Sequence, residues 1–303
     1  MQLVYFGSGV FGLPTLERLA RDHQVRLVVS QPDRPAGRSR HPVPTPISSF
    51  ATSAGLPVLR PERMDAPGVV EAIRAVDADA FVVIAYGHKL PAALLDDRFA
   101  INLHASLLPK YRGAAPINWA MINGETETGV SVITLAQRMD AGAVLGQRAV
   151  AIDPAETAGE LHDRLAALGP DAIEAVLDAF ARDRLEPREQ DERHATPAPK
   201  LRKADGTVRF DQSADAVRCR IHGLTPWPGC TVRLGVNRLK LLRVETVAAT
   251  GAEPGVIREG GVVTCAEGGV RMIEVQPPGG RPMRFEDYLR GHPISPEERM
   301  EPV

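Results

Sequence analysis

Cysteine is scarce in this 303-residue chain: Cys219, Cys230 and Cys265 are an odd three, and no two form a CxxC pair. A disulfide framework or a zinc site is therefore not expected, and no metal is. Long apolar runs are missing as well, and none approaches the ~20 residues of a membrane span. The N-terminus runs straight into Gln2-Leu3-Val4-Tyr5-Phe6, which reads as a strand, with no basic region and apolar stretch of a secretory signal. These absences point to a cytoplasmic protein with no membrane partner. Net charge is also nearly absent, −2 overall, which argues against indiscriminate nucleic-acid binding. What is present is enough apolar material, 44%, for ordinary cores. The length suggests about two domains.

The first two-thirds alternate strand and helix signals. Strands are expected at Leu3–Phe6, Val25–Ser30, Ala80–Ile84, Ile101–Leu103 and Gly129–Leu135. Helices are expected at Leu13–Arg21, Ser48–Ala54, Gly68–Val76 and Ala115–Asn123, and over Thr157–Phe180 with a break at Gly169-Pro170. Such alternation implies an α/β fold, a Rossmann-like, mostly parallel sheet covered by helices. Between Arg182 and Ala204 the character changes to prolines and charges with no aromatic residue, which suits a linker. Beyond it, one helix at Ser213–His222 and short strands spaced by Gly and Pro suggest a smaller, OB-like β-barrel domain. The expected division is a domain over 1–181, a linker over 182–204 and a second domain over 205–303.

Three polar residues stand out. Asn102 and His104 are two apart on a predicted strand end, so they share one face. An amide donor beside an imidazole suits a carbonyl whose oxygen becomes negative while an amine loses a proton. Asp140 has the chemistry to orient the imidazole, although spacing alone leaves open whether it reaches His104. Gly7-Ser8-Gly9-Val10-Phe11-Gly12 matches the dinucleotide-binding GxGxxG pattern in the right strand-to-helix context. No acid closes the second strand, however, so NAD is not expected; the glycines either allow a tight turn or let another ligand approach the backbone. Between Lys200 and Arg243, ten Lys/Arg face three acids, a local +7 that reads as a polyanion footprint or a solvated surface. Trp227, between Pro226 and Pro228, is expected to anchor the second core, and Cys219 and Cys230 to be small buried hydrophobes.

The run Asn102-Leu103-His104-Ala105-Ser106-Leu107-Leu108-Pro109-Lys110-Tyr111-Arg112-Gly113-Ala114-Ala115-Pro116 resembles the folate-dependent formyltransferase family. Gly124–Val130 and Met139-Asp140-Ala141-Gly142 extend the likeness. So do the loop from Gln31 to Arg38, Ala198–Lys203, and Pro226-Trp227-Pro228-Gly229. The resemblance implies that Asn102, His104 and Asp140 are catalytic. It implies that Ser106, Leu107, Leu108 and Pro109 border a folate site, with Tyr86, Gly87 and Leu90 at a pterin pocket. The implied reaction moves the formyl group of 10-formyltetrahydrofolate to the amino group of methionyl-initiator tRNA, catalysed by a monomer. Arg38, Arg40 and His41 would enter the acceptor end of the tRNA, and Lys200, Arg202 and Lys203 would hold its phosphates. Relatives often carry consecutive lysines in the first of these loops, so its charge is reduced here.

Other readings compete. A formyltransferase acting on a nucleotide-linked amino sugar shares the core, but there an arginine commonly follows the glycine where Ala114 stands here. A phosphoribosyl-glycinamide formyltransferase needs no second domain. A tRNA-binding or folate-sensing module without turnover would not need Asn102, His104 and Asp140 together.

Overall fold

Gln2–Gly7 (β1) is a run of apolar and aromatic residues buried almost throughout, the pattern of a strand covered on both faces. In the computed structural model, which describes residues 1–36, 41–249, 253–295 and 298–303, it lies inside a seven-stranded sheet. Gln24–Val29 (β2) pairs with it in parallel, and Val58–Leu59 (β3) pairs with β2. On the other side come Ala80–Ile84 (β4) and Ala100–His104 (β5), also parallel. Glu127–Thr134 (β6) then joins β5 antiparallel. Val144–Ala151 (β7) ends the order β7-β6-β5-β4-β1-β2-β3. The sheet is mostly parallel, as the alternation implied. β7 carries no strand signal in the sequence because it is half exposed and mixes polar with apolar residues.

Helix Leu13–Asp22 (α1) buries Leu16 and Leu19. Pro46–Ser53 (α2) starts where the Thr45 hydroxyl accepts the Ser48 N–H at 3.0 Å. Val69–Arg74 (α3), Ala92–Leu95 (α4), Pro116–Ile122 (α5) and Ala158–Ala166 (α6) follow. The break at Gly169-Pro170 is the start of Gly169–Ala181 (α7), where proline needs no N–H partner. A Cβ on Gly169 would lie 2.5 Å from Thr15 Oγ1 and 2.9 Å from Leu103, so this position requires glycine.

Two compact units emerge. The first comprises residues 1–112, 129–149 and 163–197, and the second 113–128, 150–162 and 198–303. Part of the stretch expected to be a linker is tied into the first unit. The Arg188 N–H and C=O pair with Val144 at 2.9 and 2.8 Å, and the Arg112 N–H donates to the Thr196 carbonyl at 2.8 Å.

In the second unit, Ser213 caps Ala214–Gly223 (α8), its hydroxyl accepting the Ala216 N–H. The strands are Cys230–Leu234 (β8), Asn237–Val247 (β9), Ile257–Arg258 (β10), Val262–Thr264 (β11), Gly269–Gln276 (β12), Met283–Arg284 (β13) and Met300–Pro302 (β14). They run β10-β11-β12-β9-β8-β14, with β13 on β12. An antiparallel bridge between Val256 and Arg299 links the two ends, so the sheet closes into a barrel. Register shifts in β9 near Arg243 supply the bend. Val217, Ile221, Leu224, Val232, Leu241 and Val275 fill the interior. Phe285–Gly291 (α9) adds Phe285 and Tyr288 to that core, an element without a clear periodic signal in the sequence.

Trp227 corrects an expectation: it is 51% exposed and anchors no core, because its flanking prolines carry it out on a turn. Cys219 and Cys230 are buried as expected, Cys265 is buried too, and all three are free. Burial raises the Cys230 thiol to about 12 and the Cys265 thiol to about 11.

His222 is fully buried. Its Nε2 accepts the Val244 N–H at 3.0 Å, so its Nδ1 is the donor to the Pro154 carbonyl at 3.1 Å. Burial, helped by Arg218 and Arg243, lowers its pKa to about 4. The unfolded chain therefore binds a proton that the folded one refuses. The stabilisation is complete above the ordinary histidine pKa of about 6.5 and is lost as pH falls from there toward 4, up to about 3 kcal/mol. Denaturant unfolding of the parent and of His222→Asn across this range checks it. The parent curve falls with a steeper pH slope than that of the variant.

Candidate active site

β5 and β6 fix the geometry. Their register sets Asn102 opposite Ile133 and His104 opposite Ser131, so Asn102, His104 and Ser131 share one face of the sheet. The Asn102 side chain is half buried, and among the described residues its amide makes no hydrogen bond. His104 is held on both sides. Its Nε2 lies 2.8 Å from the Tyr111 carbonyl, which can only accept, so Nε2 carries a proton. Its Nδ1 lies 3.6 Å from Asp140 Oδ2, an approach longer than a hydrogen bond, with the two side chains 6% and 12% exposed.

Asp140 gets there by a detour. β6 is antiparallel, so its end at Thr134 lies opposite Ile101, three residues short of His104. The loop over 135–143 folds back to bring Asp140 to the imidazole. Its base is a tight pair: Thr134 N–H to the Ala143 carbonyl at 2.9 Å, and Ala143 N–H to Thr134 Oγ1 at 2.9 Å. Gly142 is required there, since a Cβ would fall 1.8 Å from the Thr134 carbonyl oxygen. Asp140 itself has φ +54°, the left-handed region that side chains seldom adopt.

The loop after β5 is stapled from below. Ser131 Oγ accepts the Leu108 N–H at 3.0 Å and a Gln147 Nε2–H at 2.9 Å, and donates to the Ser106 carbonyl at 2.6 Å. Gln147 also donates to the Leu108 carbonyl at 2.9 Å. Ser106 is fully buried and its hydroxyl goes to the Lys110 carbonyl at 2.7 Å, so its side chain shapes the loop. Leu108 packs on Ile133 and Val144, while Leu107 and Pro109 are half buried.

The turns after β1 and β4 are knitted together. The N–H groups of Ser8 and Gly9 donate to the Ala85 carbonyl at 3.3 and 3.2 Å. Ser8 Oγ and Gln31 Nε2 both donate to the Tyr86 carbonyl, at 3.2 and 2.7 Å. Glycine at position 12 lets the Tyr5 hydroxyl reach its carbonyl at 2.9 Å; a Cβ there would sit 2.1 Å from that hydroxyl. The glycine pattern thus serves close packing, and the N–H groups of Ser8, Gly9 and Gly12 are spent inside the chain. The Tyr86 ring points into the core, edge-on to Phe6 at 5.9 Å with its hydroxyl on Met64 Sδ, and burial raises its pKa to about 12. Gly87 has φ +82° and Leu90 is buried in the same cluster.

Of the basic positions singled out, Arg38 and Arg40 lie outside the described residues. His41 is exposed at the start of the strand His41–Val43, which pairs with Arg34–Ala36. Lys200, Arg202 and Lys203 are exposed. Most of the other cations in the +7 block have structural partners. Arg209 pairs with Asp211, Arg218 with Asp215, Arg233 with Glu301 and Arg243 with Glu160. Arg220 and Lys240 donate to backbone carbonyls. Among the described residues, Lys200, Arg202, Lys203 and Arg238 have neither kind of side-chain partner.

One functional candidate has no signal in the sequence. Gln190 Nε2 donates to the carbonyls of Asp140 and Gly142, both at 2.8 Å. It stands in the stretch that composition marks as a linker, with no local motif to single it out.

Comparison with known proteins fits this geometry. Residues 1–177 match the family model described as formyl transferase, and residues 200–293 the formyl transferase C-terminal domain. The chain belongs to the formyl transferase family, the class its fold and site define. Within it, the methionyl-tRNA formyltransferase of Geobacter metallireducens is 40% identical over 99% of this chain and 98% of its own. That of Moorella thermoacetica is 41% identical, over 98% of each. Among solved structures, a sugar 3N-formyl transferase, WlaRD, with dTDP and 5-N-formyl-THF, superposes with a TM-score of 0.70 at 13% identity, covering 89% of this chain and 96% of that one. HypX from Aquifex aeolicus in complex with tetrahydrofolic acid gives 0.64 at 16% identity, covering 97% of this chain and 48% of that one. At these identities the two structures share the fold alone.

Ser131→Ala tests the staple. It leaves the buried Leu108 N–H and Ser106 carbonyl without their partner, a loss of about 1–3 kcal/mol in denaturant unfolding. Unchanged stability would mean the loop holds itself.

Proposed function

We propose that this protein transfers the formyl group of 10-formyltetrahydrofolate to the amino group of methionyl-initiator tRNA. The observation that carries the reading is the unpartnered Asn102 amide beside the His104–Asp140 pair, in a chain about 40% identical along its length to methionyl-tRNA formyltransferases. The methionyl nitrogen attacks the formyl carbon and a C–N bond forms. Asn102 donates to the oxygen as it becomes negative. Asp140 takes the proton released by the attacking amine, and the facing imidazole of His104 stabilises the charge that develops. The bond from the formyl carbon to the folate nitrogen then breaks, its electron pair staying on that nitrogen, which receives the proton from Asp140 and so restores the carboxylate. His104 acts beside Asp140 more than as a donor to the oxygen, because its Nε2 proton already serves the Tyr111 carbonyl. Ser106–Pro109 and the turn at Tyr86, Gly87 and Leu90 form the folate side, largely through backbone shape and apolar surface. The WlaRD structure in the presence of 5-N-formyl-THF and the HypX structure in complex with tetrahydrofolic acid support a folate as the co-substrate.

On the tRNA side, Arg38, Arg40 and His41 meet the acceptor end, while Lys200, Arg202 and Lys203 hold phosphates without reading sequence. The 1–181 segment carries the chemistry, and Lys200, Arg202 and Lys203 together with 205–303 the nucleic-acid grip, in a cytoplasmic monomer that needs neither metal nor NAD. Among the described residues no helix is long and apolar enough to cross a membrane, and no His/Cys/Asp/Glu group is set to hold a metal.

The decisive assay offers labelled 10-formyltetrahydrofolate with charged initiator tRNA, charged elongator tRNA or a nucleotide-linked amino sugar. Label in the initiator tRNA is the expected result, and label in the sugar alone would reject the reading. Asn102→Ala should cut kcat by about 100- to 1000-fold. Asp140→Asn should fall comparably with little loss of stability, whereas His104→Ala should also destabilise because it abandons the Tyr111 carbonyl.

Salt dependence checks the grip. Replacing Lys200, Arg202 and Lys203 by Ala should flatten the plot of log KM for tRNA against log salt by about 0.7–0.9 for each phosphate no longer neutralised. Arg209→Ala, which removes a cation already paired with Asp211, should leave that slope near the parent's.

A further inference from the structure

We propose that Gln190 is a positioning residue that sets the Asp140 carboxylate against His104, an inference that rests on the proposed function of that pair. Its carboxamide is fully used. The two Nε2 protons go to the carbonyls of Asp140 and Gly142, each at 2.8 Å. Its Oε1 accepts from Arg112 Nη2 at 2.7 Å and Nε at 3.0 Å. The amide orientation is therefore determined: a flip would set the NH2 against a guanidinium and the oxygen against two carbonyls. The Arg112 side chain is 11% exposed and is held in turn by Glu192 at 3.0 Å. Glu192 also receives Arg138, from the loop that carries Asp140.

These contacts close a ring. His104 Nε2 binds the carbonyl of Tyr111; the next residue, Arg112, binds Gln190; Gln190 binds the backbone of Asp140; and Asp140 faces His104 Nδ1. The two anchors of the imidazole are thus joined through Arg112 and Gln190. The clamp brackets the residue that most needs it. Asp140 has φ +54°, and the two carbonyls held by Gln190 are its own and that of the second residue after it. Released from the clamp, the loop would relax toward commoner backbone angles and swing the carboxylate away from the imidazole.

The test separates Gln190's two ends. Gln190→Glu keeps an oxygen for Arg112 and removes both donors to the loop; Gln190→Ala removes everything. Steady-state kcat should fall about 10- to 100-fold in both. KM for folate and for tRNA should move less than about threefold, while Gln190→Glu, which sets an oxygen against two carbonyls, should melt below the parent. The discriminating readout is a double-mutant cycle. In an Asp140→Asn background, adding Gln190→Glu should change kcat by less than about threefold, because the clamp acts through that carboxylate. A Gln190→Glu variant with parental kcat would overturn the clamp, as would an equal fall in both backgrounds, the mark of a general structural role. Parental turnover in Asp140→Asn alone would overturn the proposed function of the pair itself.

Discussion

The site depends on the antiparallel register that sets His104 opposite Ser131 and Asn102 opposite Ile133. A slip of one residue would turn Asn102 and His104 to the other face of the sheet. The same register puts the Ser131 hydroxyl under the loop after β5, where it holds Leu108 and Ser106. It also sends the end of β6 away from His104, which forces the 135–143 loop to return over the sheet. The left-handed backbone at Asp140, the glycine at 142 and the Gln190 clamp all follow from that return.

The buried polar groups of this region share a pattern. Side chains hold backbone, and backbone shapes the surface offered to ligands. Ser106, which borders the proposed folate site in sequence, spends its hydroxyl on Lys110. Tyr86 turns its ring into the core and offers only main chain, itself already bonded to Ser8 and Gln31. Such saturation fits a site that must be rigid before its substrates arrive, because groups aimed in advance need no reorganisation during reaction. Asn102 stands out against it, since among the described residues its amide has no hydrogen-bond partner.

Charge in the second unit follows a different logic. Along the chain, Lys200–Arg243 carries +7. In space, Arg233 and Arg243 meet Glu301 and Glu160, acids from outside that stretch. Arg220 and Lys240 cap carbonyls. Among the described residues, the cations left without such partners fall mainly at Lys200, Arg202 and Lys203, next to the stretch that leads into the barrel. A polyanion-binding surface is thus narrower than the linear count implies.

By itself the sequence determined the elements whose periodicity is strong: the buried runs of β1, β4 and β5, the helix stop at Gly169-Pro170, and the shared face of Asn102 and His104. It also carried the motif from Asn102 to Pro116. Local spacing suffices there, because two-residue alternation and proline geometry are properties of the chain itself. Only the tertiary structure decided that Asp140 reaches His104, that Trp227 is exposed, that Val144–Ala151 is a strand and that Gln190 belongs to the site. All but the exposure of Trp227, which follows from its own proline turn, depend on a partner distant in sequence: Gln190 is 50 residues from the Asp140 carbonyl it binds, and Asp140 is held by a return loop whose path is set by hydrogen bonds. Hydrogen bonds between distant residues leave no period in the sequence, so the chain writes the chemistry locally and the fold decides its geometry.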